Sequence, residues 1–271
     1  VEIKMLPFSF AEFIEMNDKN KRVDQLFNEY LLYGSLPEVV NIYQNSPENA
    51  NDYIDAVIES VVEKDVEFRH KFRDNELLTK VIKFLFDSVG SPISAGNIAK
   101  SLAVSGRPVS NHTIDNILEA LTRSFIFYKS QRYDIRGKEL LKTLSKYYAV
   151  DLGMRNRMLG RDSGTDLGHL LENVVYFELL RRESKISTGK IGEKEVDFSI
   201  IDNNGRISYI QVAWSTYDEK TLEHELAPLK AIKDSNAKIL ITTDINIGQT
   251  YDGIRKINVI DWLLDDQMNL F

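Results

Sequence analysis

Apolar residues recur at helical spacing from Phe10 to Met16, from Arg22 to Tyr33 and from Asn51 to about Phe72, which predicts a helical first third of the chain. Ahead of them "VEIKMLPFSFAEFIE" opens on an alternating, strand-like run, then a proline, then a helix start with Ser9 three residues before Glu12, the spacing of a capping box. The run "YGSLP" (Tyr33 to Pro37) interrupts the pattern: Gly34 ends one helix, and Ser35 and Pro37 start the next. "NSPEN" at 45–49 is a turn with its own N-cap signal.

From Asn75 three amphipathic stretches follow in close order. "NELLTKVIKFLFDSVG" and "SPISAGNIAKSLAVSG" each stop at a glycine, and "PVSNHTIDNILEALTRS" has Ser110 as its N-cap. The β-rich runs "FIFYKSQRYDI" and "KYYAVD" come next. Three helices and a two-stranded wing give the order of a winged helix-turn-helix, with "AVSGRPVS" as its corner.

From Asp166 the period changes again. The order is helix ("GHLLENVVYFELLRR"), strand ("SKIS"), hairpin ("EVDFSIIDNNGRISYIQVAWS"), helix ("DEKTLEHELAPLKAIKD"), strand ("AKILITTD"), then "INVIDWLLDD" as a strand feeding a helix. This α-β-β-β-α-β order predicts a mixed sheet with helices packed on it. The Asn-Asn-Gly turn predicts the hairpin, and within it Glu195 and Asp197 stand two apart, on one face of their strand. The fold class expected is therefore multi-domain α+β, with a helical region at 1–74, a winged helix at 75–161 and an α/β domain at 162–271.

Charge sharpens the middle segment. The chain carries a net charge of −7, yet between Arg123 and Arg161 ten basic residues face only three acids. Tyr128 and Tyr133 lie among the wing bases, and cations with interleaved aromatics suit phosphate contact. DNA is the expected partner, through Arg123, Lys129, Arg132, Arg136 and Lys138, with Asn111 and His112 (and Asn116) offered toward base edges. Few cations lie on that third helix, so backbone binding is better supported than sequence-specific readout.

Composition narrows the chemistry. With no cysteine, the chain has no disulfide, zinc–cysteine site or thiol nucleophile, which fits a cytoplasmic protein. The four histidines, at 70, 112, 169 and 224, have no metal-ligand spacing. No apolar run reaches the roughly 20 residues of a membrane span, and no P-loop or G-x-S-x-G motif occurs. What remains is an acidic set, Glu172 with Glu195 and Asp197. A Mg²⁺-dependent phosphodiesterase would use such oxygen ligands, normally with a third acid and a lysine. At the matching positions of the second hairpin strand stand Gln211, a weaker neutral ligand, and Ala213, which offers none.

The ordered set "VEIKMLPFSFAEFIE", "YLLYGSLPEVV", "KYYAVDLGMRN", "GHLLENVVYFELLRR", "EVDFSI" and "YIQVAWS" resembles the C-terminal part of a large family of prokaryotic AAA+ superfamily ATPases. The resemblance spans essentially the whole chain. It implies a P-loop ATPase domain upstream of Val1, so ATP and Mg²⁺ would belong to the longer protein and not to this portion. Residues 1–74 would be a lid and linker, and the last region would be similar to the PD-(D/E)XK nuclease fold. It also implies that the motif's helix acid is Glu172, its first strand acid Asp197, its second Gln211 and its lysine Ala213. The last two depart from the pattern, with Lys190 or Lys194 as substitutes for the lysine. Glu172 and Asp197 would then be the ligands of any metal. Three readings follow: a nucleic-acid-binding module with a degenerate nuclease-like domain, a Mg²⁺ nuclease, or a purely structural interaction module whose helices mediate self-assembly as a homo-oligomer or contact with a partner.

Overall fold

The computed structural model describes residues 5–17, 20–62, 74–160, 166–182, 185–245 and 248–271. The expected opening strand at 1–4 and the continuation of the third long helix over 63–73 lie outside these. The chain is mixed α/β and forms two compact units, residues 1–129 with 147–165 and residues 130–146 with 166–271. The boundaries expected at 74/75 and 161/162 do not coincide with this division. The two helical regions share one unit, and residues 130–146, expected as part of a wing, count with the other.

The first unit is built on α1 (Phe10–Glu15), α2 (Val23–Tyr33), α3 (Pro37–Tyr43), α4 (Pro47–Ser60), α5 (Asn75–Asp87), α6 (Ala95–Val104), α7 (Asn111–Arg123) and α8 (Leu152–Leu159). Side-chain caps start most of them. Ser9 and Glu12 form the reciprocal box, and Ser46, Asp74, Ser94, Ser110 and Asp151 each accept a backbone N–H of the first turn. Gly34 ends α2 at φ 76°, in the region that favours glycine.

Helix α8 has no counterpart among the expected elements. Leu152, Gly153, Met154, Arg155 and Asn156 are buried in succession, so the helix has no polar stripe to betray its period. Its side chains tie the unit together. Asp151 accepts the N–H of Ser35 at 2.7 Å and of Met154 at 2.9 Å, joining the starts of α3 and α8. Asn156 donates to the carbonyls of Leu31 (2.8 Å) and Leu32 (3.0 Å), and Arg155 to that of Phe86 (2.9 Å). The approach is close: a Cβ on Gly34 would lie 2.3 Å from the Asp151 carboxylate, and one on Gly153 would lie 2.0 Å from the Tyr33 carbonyl oxygen.

Strand β1 (Phe127–Asp134) runs from the first unit into the second, and β2 (Glu139–Ala149) runs back. The second unit adds α9 (Leu167–Arg181), β3 (Lys185–Ile191), β4 (Lys194–Ile201), β5 (Ile207–Ala213), α10 (Glu219–Ala231), β6 (Ala237–Thr242), β7 (Thr250–Tyr251), β8 (Ile254–Asn258) and α11 (Val259–Leu264). The sheet order is β2-β1-β3-β4-β5-β6-β8-β7. β1 is parallel to β3, β3-β4-β5 form an antiparallel meander, and β5, β6 and β8 run parallel.

The hairpin β4–β5 pairs Phe198 with Ile210 and Ile201 with Ile207. Asp202 accepts the N–H of Asn204 (2.9 Å) and of Arg206 (2.7 Å), and Gly205 supplies the left-handed position at φ 78°. On one side Leu226 and Leu229 of α10 pack with Val196, Tyr209 and Leu240. Helix α9 is buried without a break from Leu170 to Leu179, and its Tyr176 ring lies 6.3 Å from that of Phe198.

Candidate functional site

The acids chosen from the sequence converge, but on a residue counted there as a wing base. Lys146 of β2 belongs to the second unit, and its side chain is only 2% exposed. Its Nζ lies 2.8 Å from Glu172 Oε1 of α9, 2.8 Å from Glu195 Oε1 and 3.1 Å from Asp197 Oδ1, both of β4. Glu172 and Asp197 are buried, and Glu195 is half-buried. Two residues before Lys146, Leu144 has φ 60°, a left-handed conformation that costs a leucine on the order of 1–3 kcal/mol. Such a residue breaks the alternation of a strand. Here Ser145, Lys146, Tyr147 and Tyr148 are all buried in succession.

Neighbouring groups engage Asp197 and Gln211. Asp197 Oδ2 accepts the Val212 N–H at 2.9 Å, and the Asp197 N–H lies 3.4 Å from Gln211 Oε1. Gln211 Nε2 donates to Glu225 Oε2 of α10 at 2.9 Å. An acid at 211 would face Glu225, so the amide matches its neighbour. Ala213 belongs to the apolar cluster under α10. The lysine of the centre therefore comes from β2 and not from position 213, 190 or 194: Lys190 is half-buried opposite Glu195, and Lys194 is exposed at the start of β4.

Burial alone would lower the pKa of Lys146, but the charges of Glu172, Asp197 and Glu195 outweigh it and hold the ammonium above the ordinary lysine value. Lys146 thus stays a cation at neutral pH and cannot take up a proton there.

Glu172 and Asp197, expected as ligands of a metal, turn these oxygens to the ammonium instead. A dication held about 4 Å from Nζ would meet a repulsion of about 8 kcal/mol at an effective dielectric constant of about 20. Mg²⁺ does not fit this centre as it stands. Among the described residues, no group of three or more His, Cys, Asp or Glu is arranged to hold a metal ion.

The residues expected to meet DNA fall in both units. Asn111 and His112 are exposed in the first turn of α7, and Arg123 is exposed at its end, 3.4 Å from Glu119. Asp115, Asn116 and Glu119 share exposure with them, so acids stand among the candidate readout residues. Lys129 is exposed on β1 in the first unit. In the second, Arg132 is half-buried, and Arg136 and Lys138 are exposed at the β1–β2 turn. The basic run is shorter than its count suggested. Lys146 and Arg155 are buried, and Arg157 donates to Asp55 at 2.8 Å. Arg161 and the side chain of Lys142 lie outside the described residues. No helix among the described residues is long and apolar enough to cross a membrane.

Lys146 and α8 escaped the sequence reading. A lysine ahead of "YYAV" looks like the last polar residue before a buried strand, and the one available sign was its place in that apolar run.

A family described as Domain of unknown function (DUF8612) matches residues 24–165. Over 267 residues the chain is 40% identical to a protein of Haemophilus influenzae that carries the description "Uncharacterized protein". The match takes in 97% of this chain and 65% of that relative, so the chain spans under two thirds of the relative's length. No solved structure matches it. With more than half of its residues matched, the chain belongs to the DUF8612 family.

Proposed function

We propose that this chain is the C-terminal portion of an AAA+ superfamily ATPase, and that it binds nucleic acid without cutting it. In this reading α5, α6, α7, β1 and β2 act as a winged helix, and the second unit is a nuclease-like sheet turned into a binding platform. ATP and Mg²⁺ belong to the longer protein, and self-assembly to its ATPase core. The observation that carries the non-cutting part is the Lys146 ammonium, which takes the carboxylate oxygens of Glu172, Glu195 and Asp197. The nucleic-acid part is supported by the exposed bases Lys129, Arg136 and Lys138 at the wing. The ATPase part rests on the ordered motifs, two of which meet in the first unit where "YGSLP" and "VDLGM" share Asp151.

The test is binding of a labelled DNA duplex by fluorescence anisotropy across a salt series. Binding that weakens with salt, with a log–log slope of about −0.9 per phosphate neutralised, is expected. Charge reversal at Arg132, Arg136 and Lys138 should weaken it and flatten the slope. Absence of duplex binding at low salt refutes the nucleic-acid part.

A Mg²⁺ nuclease is the second reading, favoured by the fact that a lysine does stand beside Glu172 and Asp197. Plasmid cleavage in Mg²⁺ or Mn²⁺ that disappears in Glu172→Ala and Asp197→Ala would establish it against the first.

A further inference from the structure

The centre holds three carboxylate oxygens within 3.1 Å of one nitrogen. That convergence surrounds a cation, and the cation present is a side chain of the same polypeptide. The lysine is not a surface residue folded over an acid. It is 2% exposed, arrives from β2, and follows a leucine held at φ 60°. A backbone kept in an unfavourable conformation next to a buried charge indicates that the surrounding structure enforces its placement. The second oxygen of Asp197 is taken by the Val212 N–H, and Gln211 is engaged with Glu225, so these groups do not open toward a second cation.

We propose that Lys146 is a tethered substitute for a divalent metal: it closes the centre against Mg²⁺ and Mn²⁺, and its removal makes Glu172, Glu195 and Asp197 a metal site. The idea rests on the non-cutting reading of the second unit. It is tested without nucleic acid, so loss of duplex binding would leave it standing, and a failure here would leave duplex binding untouched. Removal of the ammonium leaves the buried Glu172 and Asp197 and the partly exposed Glu195 without the cation that they share. Buried carboxylates in that state either take up protons or recruit another cation. Oxygen ligands favour a hard dication, and Mn²⁺ is such an ion with a direct spectroscopic signal.

The experiment measures Mn²⁺ uptake by the chain through loss of the free-ion electron paramagnetic resonance signal, alongside thermal unfolding in Mn²⁺ and in EDTA. The unaltered chain should show no stoichiometric uptake and the same unfolding temperature in both. Lys146→Gln, which keeps hydrogen-bonding capacity but no charge, should take up one Mn²⁺ at least about tenfold more tightly and unfold later in its presence. The double variant Lys146→Gln with Asp197→Asn should lose that gain. Should Lys146→Gln fail to fold alone, Mn²⁺ should restore its fold, and failure in both conditions counts against the proposal. Uptake of one Mn²⁺ by the unaltered chain that Asp197→Asn abolishes would overturn it. So would a folded Lys146→Gln that ignores Mn²⁺.

Discussion

Asp151→Ala tests whether one carboxylate holds two helix starts together. Oδ2 accepts the Ser35 N–H at 2.7 Å and Oδ1 the Met154 N–H at 2.9 Å, with the backbone N–H groups of Leu36 and Gly153 also directed at the carboxylate. Loss of the cap on α8 costs about 1 kcal/mol. The buried Ser35 N–H, left without an acceptor, adds about 1–3 kcal/mol. The expected loss is therefore about 2–4 kcal/mol, confined to the first unit. Tryptophan fluorescence would miss it, because both tryptophans, Trp214 and Trp262, lie in the second unit. Amide hydrogen exchange on peptides covering Ser35 and Leu36 reads it directly. A loss of 2 kcal/mol corresponds to a roughly 30-fold fall in protection. Asp151→Asn keeps one oxygen but turns an amide donor toward one of the N–H groups, so it should fall between the parent and Asp151→Ala. A fall of less than about fivefold in Asp151→Ala would refute the argument, since that is under about 1 kcal/mol.

Three further outcomes follow from the same geometry. Gly153→Ala drives a methyl toward the Tyr33 carbonyl, which its Cβ would approach at 2.0 Å, and should cost about 1–3 kcal/mol of stability in urea unfolding. Gln211→Glu sets a carboxylate where the amide now donates to Glu225 at 2.9 Å; it should destabilise the second unit by about 1–2 kcal/mol at neutral pH and recover on acidification, as followed by tryptophan fluorescence. Asp244 is opposed by burial, but Lys256, Ser215 and Thr216 together hold its carboxyl below the usual value of 3.8. Its contribution is therefore full above the unfolded value and lost as pH falls through the folded one, so Asp244→Asn should flatten the acid limb of unfolding below about pH 4.

Elements whose signals lie within a few residues were legible. The Ser9–Glu12 box, the Ser110 cap, the Gly34 stop and the Asp202–Arg206 turn each involve neighbours along the chain, and all are found. The face shared by Glu195 and Asp197 was legible too, because strand geometry alone sets it. What was hidden depends on distance along the chain. Lys146 meets an acid 51 residues later, and Asp151 an amide 116 residues earlier. No periodicity encodes such pairings. Burial of five successive residues, Leu152 to Asn156, hid α8, since it erases the polar stripe that marks a helix period. Charge counting failed for a related reason: it treats a lysine as surface, and Lys146 and Arg155 are among the largest fully buried side chains.

The path of β1 and β2 constrains how the protein can be taken apart. A fragment beginning at residue 162 would keep the whole α9-to-α11 series but leave behind 130–146, which belongs with it. It would carry Glu172, Glu195 and Asp197 with no ammonium among them, and a sheet whose β3 edge had lost β1. Such a fragment invites aggregation through its bare edge and leaves the three acids without the ammonium that they share. Metal dependence measured on such a piece would then reflect the lost lysine and not the intact centre.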